Sequence, residues 1–199
     1  MLEQQMIRKG LRRVGDIQSN LVVDMRYSSA DNITQKDLYG WLDDCYLQPE
    51  VAEMLFNAQK YLDSIKPGYK IVIWDCARPL SVQMELWNAV KGKDKTAYVA
   101  YPGGGSMHNY GAAVDVSLID SAGNLLDMGT GFDDMRPLAQ PRFEAKYLQS
   151  GELSITQLEN RRLLRSIMKA GGFWNIQSEW WHFNAGTMDQ AKRKYRIIE

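Results

Sequence analysis

The sequence predicts a single α+β domain, with helices flanking a small antiparallel sheet. Three observations carry this: windows of apolar residues at helical spacing, short apolar runs ending at Gly, Pro or Asp, and connections too irregular for repeated strand–helix–strand units. After a polar extension over residues 1–20, Leu21-Val22-Val23-Asp24-Met25 reads as a short strand. Pro49 suits the first turn of a helix in which Val51, Met54, Leu55, Ala58, Leu62 and Ile65 share a face, until Pro67-Gly68 stops it. Lys70-Ile-Val-Ile-Trp74 is a buried strand running into Asp75-Cys76-Ala77-Arg78-Pro79, and a second helix is expected from Ser81 to Val90. Tyr101-Pro-Gly-Gly-Gly-Ser106 is a turn-rich loop, and Ala112 to Leu118 a strand. Residues 124–141 read as a long polar loop. A third helix spans Thr156 to Ala170, with Thr156 and Glu159 as its capping box and Gly171-Gly172 as its close. Phe173-Trp174 and Glu179 to Phe183 form a final pair of strands.

Composition narrows the function. The 199 residues carry 24 Lys+Arg against 24 Asp+Glu, so no net charge draws the chain toward nucleic acid or an anionic membrane. An apolar share of 45% and a charged share of 24% are those of a folded globular chain. No apolar run approaches the roughly 18 residues of a membrane span. Cys45 and Cys76 have neither zinc-ribbon nor redox-pair spacing; buried free thiols are expected ahead of the alternative, a disulfide between them. The first ten residues lack the apolar core of a secretory signal, so the expected compartment is the cytoplasm, or the periplasm if a leader has been removed.

Only two histidines exist, and each sits among candidate metal ligands. His108 opens Ser106-Met-His108-Asn-Tyr-Gly111-Ala-Ala-Val-Asp115. Gly111 lets the chain turn, and the strand that follows can aim Asp115 back toward the imidazole. Ala113 shares the face of Asp115 and leaves room for an ion. The second histidine closes Glu179-Trp180-Trp181-His182-Phe183. Two imidazoles and a carboxylate make a three-ligand zinc set with a fourth position open for water or substrate. Such a site needs a second carboxylate to carry protons, and Glu179 is the candidate. Arg78 is the matching cation for a developing oxyanion.

Taken singly, each residue has a plainer reading. An isolated His, Asp or Glu is more often a hydrogen-bonded structural group, and Asp75 with Arg78 reads equally as a surface ion pair worth under about 1 kcal/mol. Trp174, Trp180 and Trp181 read as core, and Lys192-Arg193-Lys194 as a solvated helix face. Gly103 to Gly105 lack the Lys-Ser/Thr of a phosphate loop, and Ser106 lacks a nucleophile elbow.

Together, the motifs resemble those of the D-alanyl-D-alanine dipeptidases, the family of the vancomycin-resistance dipeptidase. Ser106, His108, Gly111, Ala113 and Asp115 match its Ser-x-His-x-x-Gly-x-Ala-x-Asp, and Glu179-Trp180-Trp181-His182 matches its Glu-x-x-His. Arg78-Pro79 and Met128-Gly129-Thr130-Gly131-Phe132-Asp133 match two further motifs, so the resemblance runs from about Leu21 to Phe183. It implies the zinc DD-peptidase or hedgehog-like fold, and one zinc per chain held by His108, Asp115 and His182. It also implies Glu179 as general base and acid, Arg78 as transition-state stabiliser, and Ser106 and Asp133 as residues shaping the substrate cavity. The implied reaction is hydrolysis of the free dipeptide D-Ala-D-Ala. The same zinc set occurs in DD- and LD-carboxypeptidases, in phage endopeptidases, and in a signalling domain that binds without turnover. Action on peptidoglycan stem peptides and a zinc-stabilised binding module are therefore the alternatives. The expected partner is a small dipeptide; oligomeric state is not legible.

Overall fold

The computed structural model describes residues 2–16, 20–40, 42–92 and 99–199. Along them run α1 (Leu2–Arg8), β1 (Arg12–Arg13), β2 (Val22–Val23), β3 (Tyr46–Leu47), α2 (Pro49–Ile65), β4 (Lys70–Asp75), α3 (Leu80–Val90), β5 (Ala113–Ile119), α4 (Glu144–Ser150), α5 (Ile155–Ala170), β6 (Trp174–Asn175), β7 (His182–Asn184) and α6 (Met188–Lys194). The architecture is α+β, as expected.

The strands β4 and β5 form the frame. They pair antiparallel from Lys70↔Ile119 to Ile73↔Val116, and the register then slips so that Asp75 lies opposite Asp115. The slip inserts Trp74 as an extra residue, and a bulge of this kind re-aims the side chains that follow it. On β5 the alternation puts Val114, Val116 and Leu118 on one face and Ala113, Asp115 and Ser117 on the other, all six buried. Helix α2 packs on β4 and on α5. Gly171, just after α5, permits that approach, because a Cβ there would stand 2.5 Å from the carbonyl oxygen of Met54.

The main sheet has the order β2-β4-β5-β7-β6. It is not wholly antiparallel, as the sequence suggested: β2 runs parallel to β4, with Val22 opposite Val72. The chain between them crosses over through α2, and a crossover returns the next strand in the same direction. A second ribbon pairs β1 with β3, Arg12 opposite Leu47. It joins the amino-terminal residues to the body, where Met6, Leu11 and Val14 are buried in the common core.

Local signals also shifted. The capping box of α5 is Ser154 with Gln157, two residues ahead of the expected pair. Helix α4 forms over residues 144–150, where the sequence pattern predicts no element. Trp174 is 48% exposed rather than core, whereas Trp180 and Trp181 are buried. The expectation for the cysteines is overturned: Cys45 and Cys76 form a disulfide, with Cα atoms 5.5 Å apart. Sequence spacing did not reveal that the backbone beyond β4 lies against β3, where the amide of Ala77 donates to the carbonyl of Tyr46 at 3.1 Å.

Candidate metal centre and active site

His108 sits in a 3₁₀ turn, Met107–Tyr110, capped by Ser106, whose amide donates to Oδ1 of Asn109 at 2.7 Å. Gly111 ends the turn at φ +63, a conformation that favours glycine. A Cβ there would also press on Leu11 at 2.8 Å. The chain then enters β5 and delivers Asp115 two strand positions later. The neighbouring strand β7 places His182 directly opposite Asp115 in the ladder. One turn and two paired strands thus bring the three side chains together, all buried.

The second partner of each imidazole decides what the inner nitrogens are. Nδ1 of His108 lies 2.6 Å from the carbonyl oxygen of Cys76, which can only accept, so Nδ1 carries the proton and Nε2 a lone pair. Nε2 of His182 donates to Oδ1 of Asn184 at 2.9 Å, which leaves Nδ1 unprotonated in the neutral ring. These two inner nitrogens face one another at 3.1 Å, and Oδ1 of Asp115 stands 2.9 Å from one and 3.3 Å from the other. Three lone pairs converging at this range repel unless a cation lies among them. Ligands around a tetrahedral zinc at Zn–N of 2.0–2.1 Å would stand about 3.3 Å apart, so the set fits a metal with little adjustment.

Around this cluster lie the other predicted residues. Glu179 has Oε2 4.0 Å from Nδ1 of His182. Burial pushes its carboxyl up to about 7; His182 opposes the shift, and Asp115 and Asp133 add to it. A carboxyl near neutrality can both take and return a proton. Arg78 is no surface residue. Its Nε and Nη2 donate to Oδ2 of fully buried Asp75 at 2.9 and 2.6 Å, and Nη1 donates to Oε1 of Gln83 at 2.9 Å. Nη2 also lies 3.6 Å from Oδ2 of Asp115, so the guanidinium borders the cluster. The plainer surface-pair reading of Asp75 and Arg78 is therefore corrected. Asp133 accepts from the hydroxyl of Tyr27 and the amide of Ile33, each at 3.1 Å, and burial pushes its carboxyl up to about 6.

All seven predicted residues (Arg78, Ser106, His108, Asp115, Asp133, Glu179 and His182) line one cavity of about 300 Å³. A larger hollow of about 930 Å³ also touches Asp133 but is lined by none of His108, Asp115 and His182. Sequence reasoning missed Tyr27, Gln83 and Asn184. Asn184 had a signal, since a residue two past His182 on a strand shares its face. Tyr27 and Gln83 had none.

Known proteins are similar to this chain over most of its length. A family profile described as D-ala-D-ala dipeptidase matches residues 8–197. A D-alanyl-D-alanine dipeptidase of Escherichia coli is 37% identical over 164 residues, covering 82% of this chain and 78% of the relative. Proteins of the same name from Enterococcus faecium and Streptomyces coelicolor are each 30% identical, covering 80% and 85% of this chain and 83% and 88% of their own.

Proposed function

This chain belongs to the D-Ala-D-Ala dipeptidase family, and from that premise we propose that His108, Asp115 and His182 hold one zinc ion while Glu179 and Arg78 carry the proton and charge movements of peptide hydrolysis. As a member of that family it is a metallopeptidase that splits D-Ala-D-Ala into two D-alanines. The observation that carries the zinc reading is the 3.1 Å approach of two imidazole lone pairs beside a buried carboxylate. A nitrogen-rich, three-ligand set suits zinc better than magnesium or calcium.

Bound there, zinc would act as a Lewis acid toward the scissile carbonyl and make a nearby water easier to deprotonate. Glu179 takes the proton of the attacking water and returns it to the nitrogen of the leaving D-alanine. Arg78 has five N–H donors, and three are committed to Asp75 and Gln83. The remaining two make no hydrogen bond among the described residues and can serve the oxygen that becomes negative as the carbonyl carbon turns tetrahedral. Asp133 supplies a carboxylate for the dipeptide ammonium, and Ser106 a hydroxyl at the cavity wall. A volume of about 300 Å³ is at the small end for ligand sites, which favours a free dipeptide over a stem-peptide strand.

Among the described residues no helix is long and apolar enough to cross a membrane. The Cys45–Cys76 bond favours an oxidising compartment, the periplasm rather than the cytoplasm. The test is hydrolysis of D-Ala-D-Ala by the purified chain before and after chelation, with metal content measured in parallel. Loss of activity on chelation and recovery with one equivalent of zinc is expected. Undiminished turnover in metal-free protein would remove the zinc centre from the reaction.

A further inference from the structure

The disulfide lies directly behind the metal cluster, and its position there is what carries the inference. Strand β4 ends at Asp75, so no ladder hydrogen bond holds the residue that follows. That residue, Cys76, presents the carbonyl oxygen that accepts Nδ1–H of His108 at 2.6 Å. Two residues on, the amide of Arg78 donates to the carbonyl of His108 at 3.0 Å. The segment from Cys76 to Arg78 therefore grips His108 at its ring and at its backbone.

The other half of the bond holds the far end of the same turn. Three residues after Cys45, the amide of Gln48 donates to the carbonyl of Gly111 at 3.0 Å, and its side-chain Nε2 to the carbonyl of Tyr110 at 2.9 Å. Cys45 to Gln48, Cys76 to Arg78 and His108 to Gly111 thus form a closed ring of three segments. The first two are joined by one hydrogen bond, from Ala77 to Tyr46, and by the covalent bond.

We propose that the Cys45–Cys76 disulfide is a positioning brace for His108, fixing the carbonyl that sets the tautomer and aim of its ring. The proposal rests on the reading of His108 as a metal ligand. Both half-cystines are fully buried, so a dissolved thiol has no line of attack on either sulfur in the folded protein. The bond is a permanent strut and not a reversible switch.

Partners that orient a ligating imidazole are worth about 10- to 100-fold in metal affinity. The experiment is a zinc dissociation constant, from competition with a chromogenic chelator, for wild type and Cys45→Ala/Cys76→Ala. Melting temperature and the KM of the zinc-saturated enzyme are followed alongside. The brace predicts weakening of zinc binding by about tenfold or more, with KM unchanged. Leu62→Ala, a fully buried core change on α2, serves as a control that lowers the melting temperature while leaving the constant alone. A double variant that melts earlier but binds zinc like wild type overturns the proposal, because the bond then serves general stability only. If the alanine pair does not fold, Cys45→Val/Cys76→Ala takes the same test, and failure of both to fold also overturns it. Wild type that binds no zinc would sink the metal centre itself, a result distinct from equal binding by the two proteins.

Discussion

One carboxylate oxygen of Asp75 serves two site residues: Oδ2 accepts from Nε and Nη2 of Arg78 at 2.9 and 2.6 Å and lies 3.5 Å from Nδ1 of His108. Tyr39 holds the other oxygen, donating to Oδ1 at 2.5 Å. Burial alone would lower the Arg78 pKa, but Asp75 raises it well above the usual arginine range. Removing Asp75 leaves a buried guanidinium without its main counter-charge, a loss that typically costs 3–5 kcal/mol. Asp75→Ala should therefore lower unfolding stability by about 3 kcal/mol in denaturant titration and cut kcat at least tenfold. A loss below about 1 kcal/mol would mean that Arg78 finds solvent or another acceptor.

Glu179 and His108 should separate chemistry from metal holding. On the proposed mechanism Glu179→Ala removes the proton carrier but no ligand, so it should keep wild-type zinc content and lose about 10²- to 10⁴-fold in kcat. His108→Ala should lose the metal. Near-normal rates in the first variant would take Glu179 out of the mechanism, and unchanged zinc in the second would take His108 out of the ligand set.

Two raised carboxyls set a pH dependence for the metal-free protein. Burial moves Glu179 from an ordinary 4.5 to about 7 and Asp133 from 3.8 to about 6, so the folded chain binds these protons more tightly than the unfolded chain. Stability drawn from their neutral forms is complete below about pH 4 and is lost as pH rises toward 7. Glu179 alone accounts for about 3 kcal/mol. The melting temperature of chelator-treated protein should fall between pH 5 and pH 7.5, and Glu179→Gln should flatten that fall. An equal slope in the variant would place the dependence elsewhere.

Arg161 of α5 governs the long loop that carries Asp133. Its buried guanidinium donates from Nε to the carbonyl of Met128 at 2.7 Å and from both terminal nitrogens to that of Leu138 at 3.1 Å. Arg161→Met keeps the bulk and strands both carbonyls. The expected result is a several-fold rise in KM for D-Ala-D-Ala with zinc content unchanged. An unaltered KM would show that the loop holds its shape without the clamp.

The site was legible where its geometry is local. Ser106, His108 and Asp115 sit on one turn and one strand, so spacing alone brings them near each other, and Glu179 precedes His182 by three residues. The motif resemblance added Asp133, whose approach depends on a loop that periodicity cannot place. What stayed hidden depends on contacts between distant segments. Asp75 was visible in sequence, yet its burial follows from Tyr39 and the β4 bulge. The disulfide depends on β3 lying beside the end of β4, and the parallel edge at β2 on a crossover through α2. Helix boundaries came within a few residues because Pro49 and Gly171 mark them, whereas α4 carries no such punctuation.

Both imidazoles of the chain line the one cavity. The imidazole ring protons therefore make two spin systems, and both belong to the candidate site. Added metal or product would therefore be followed through two native probes, both inside the cavity that the proposed reaction uses.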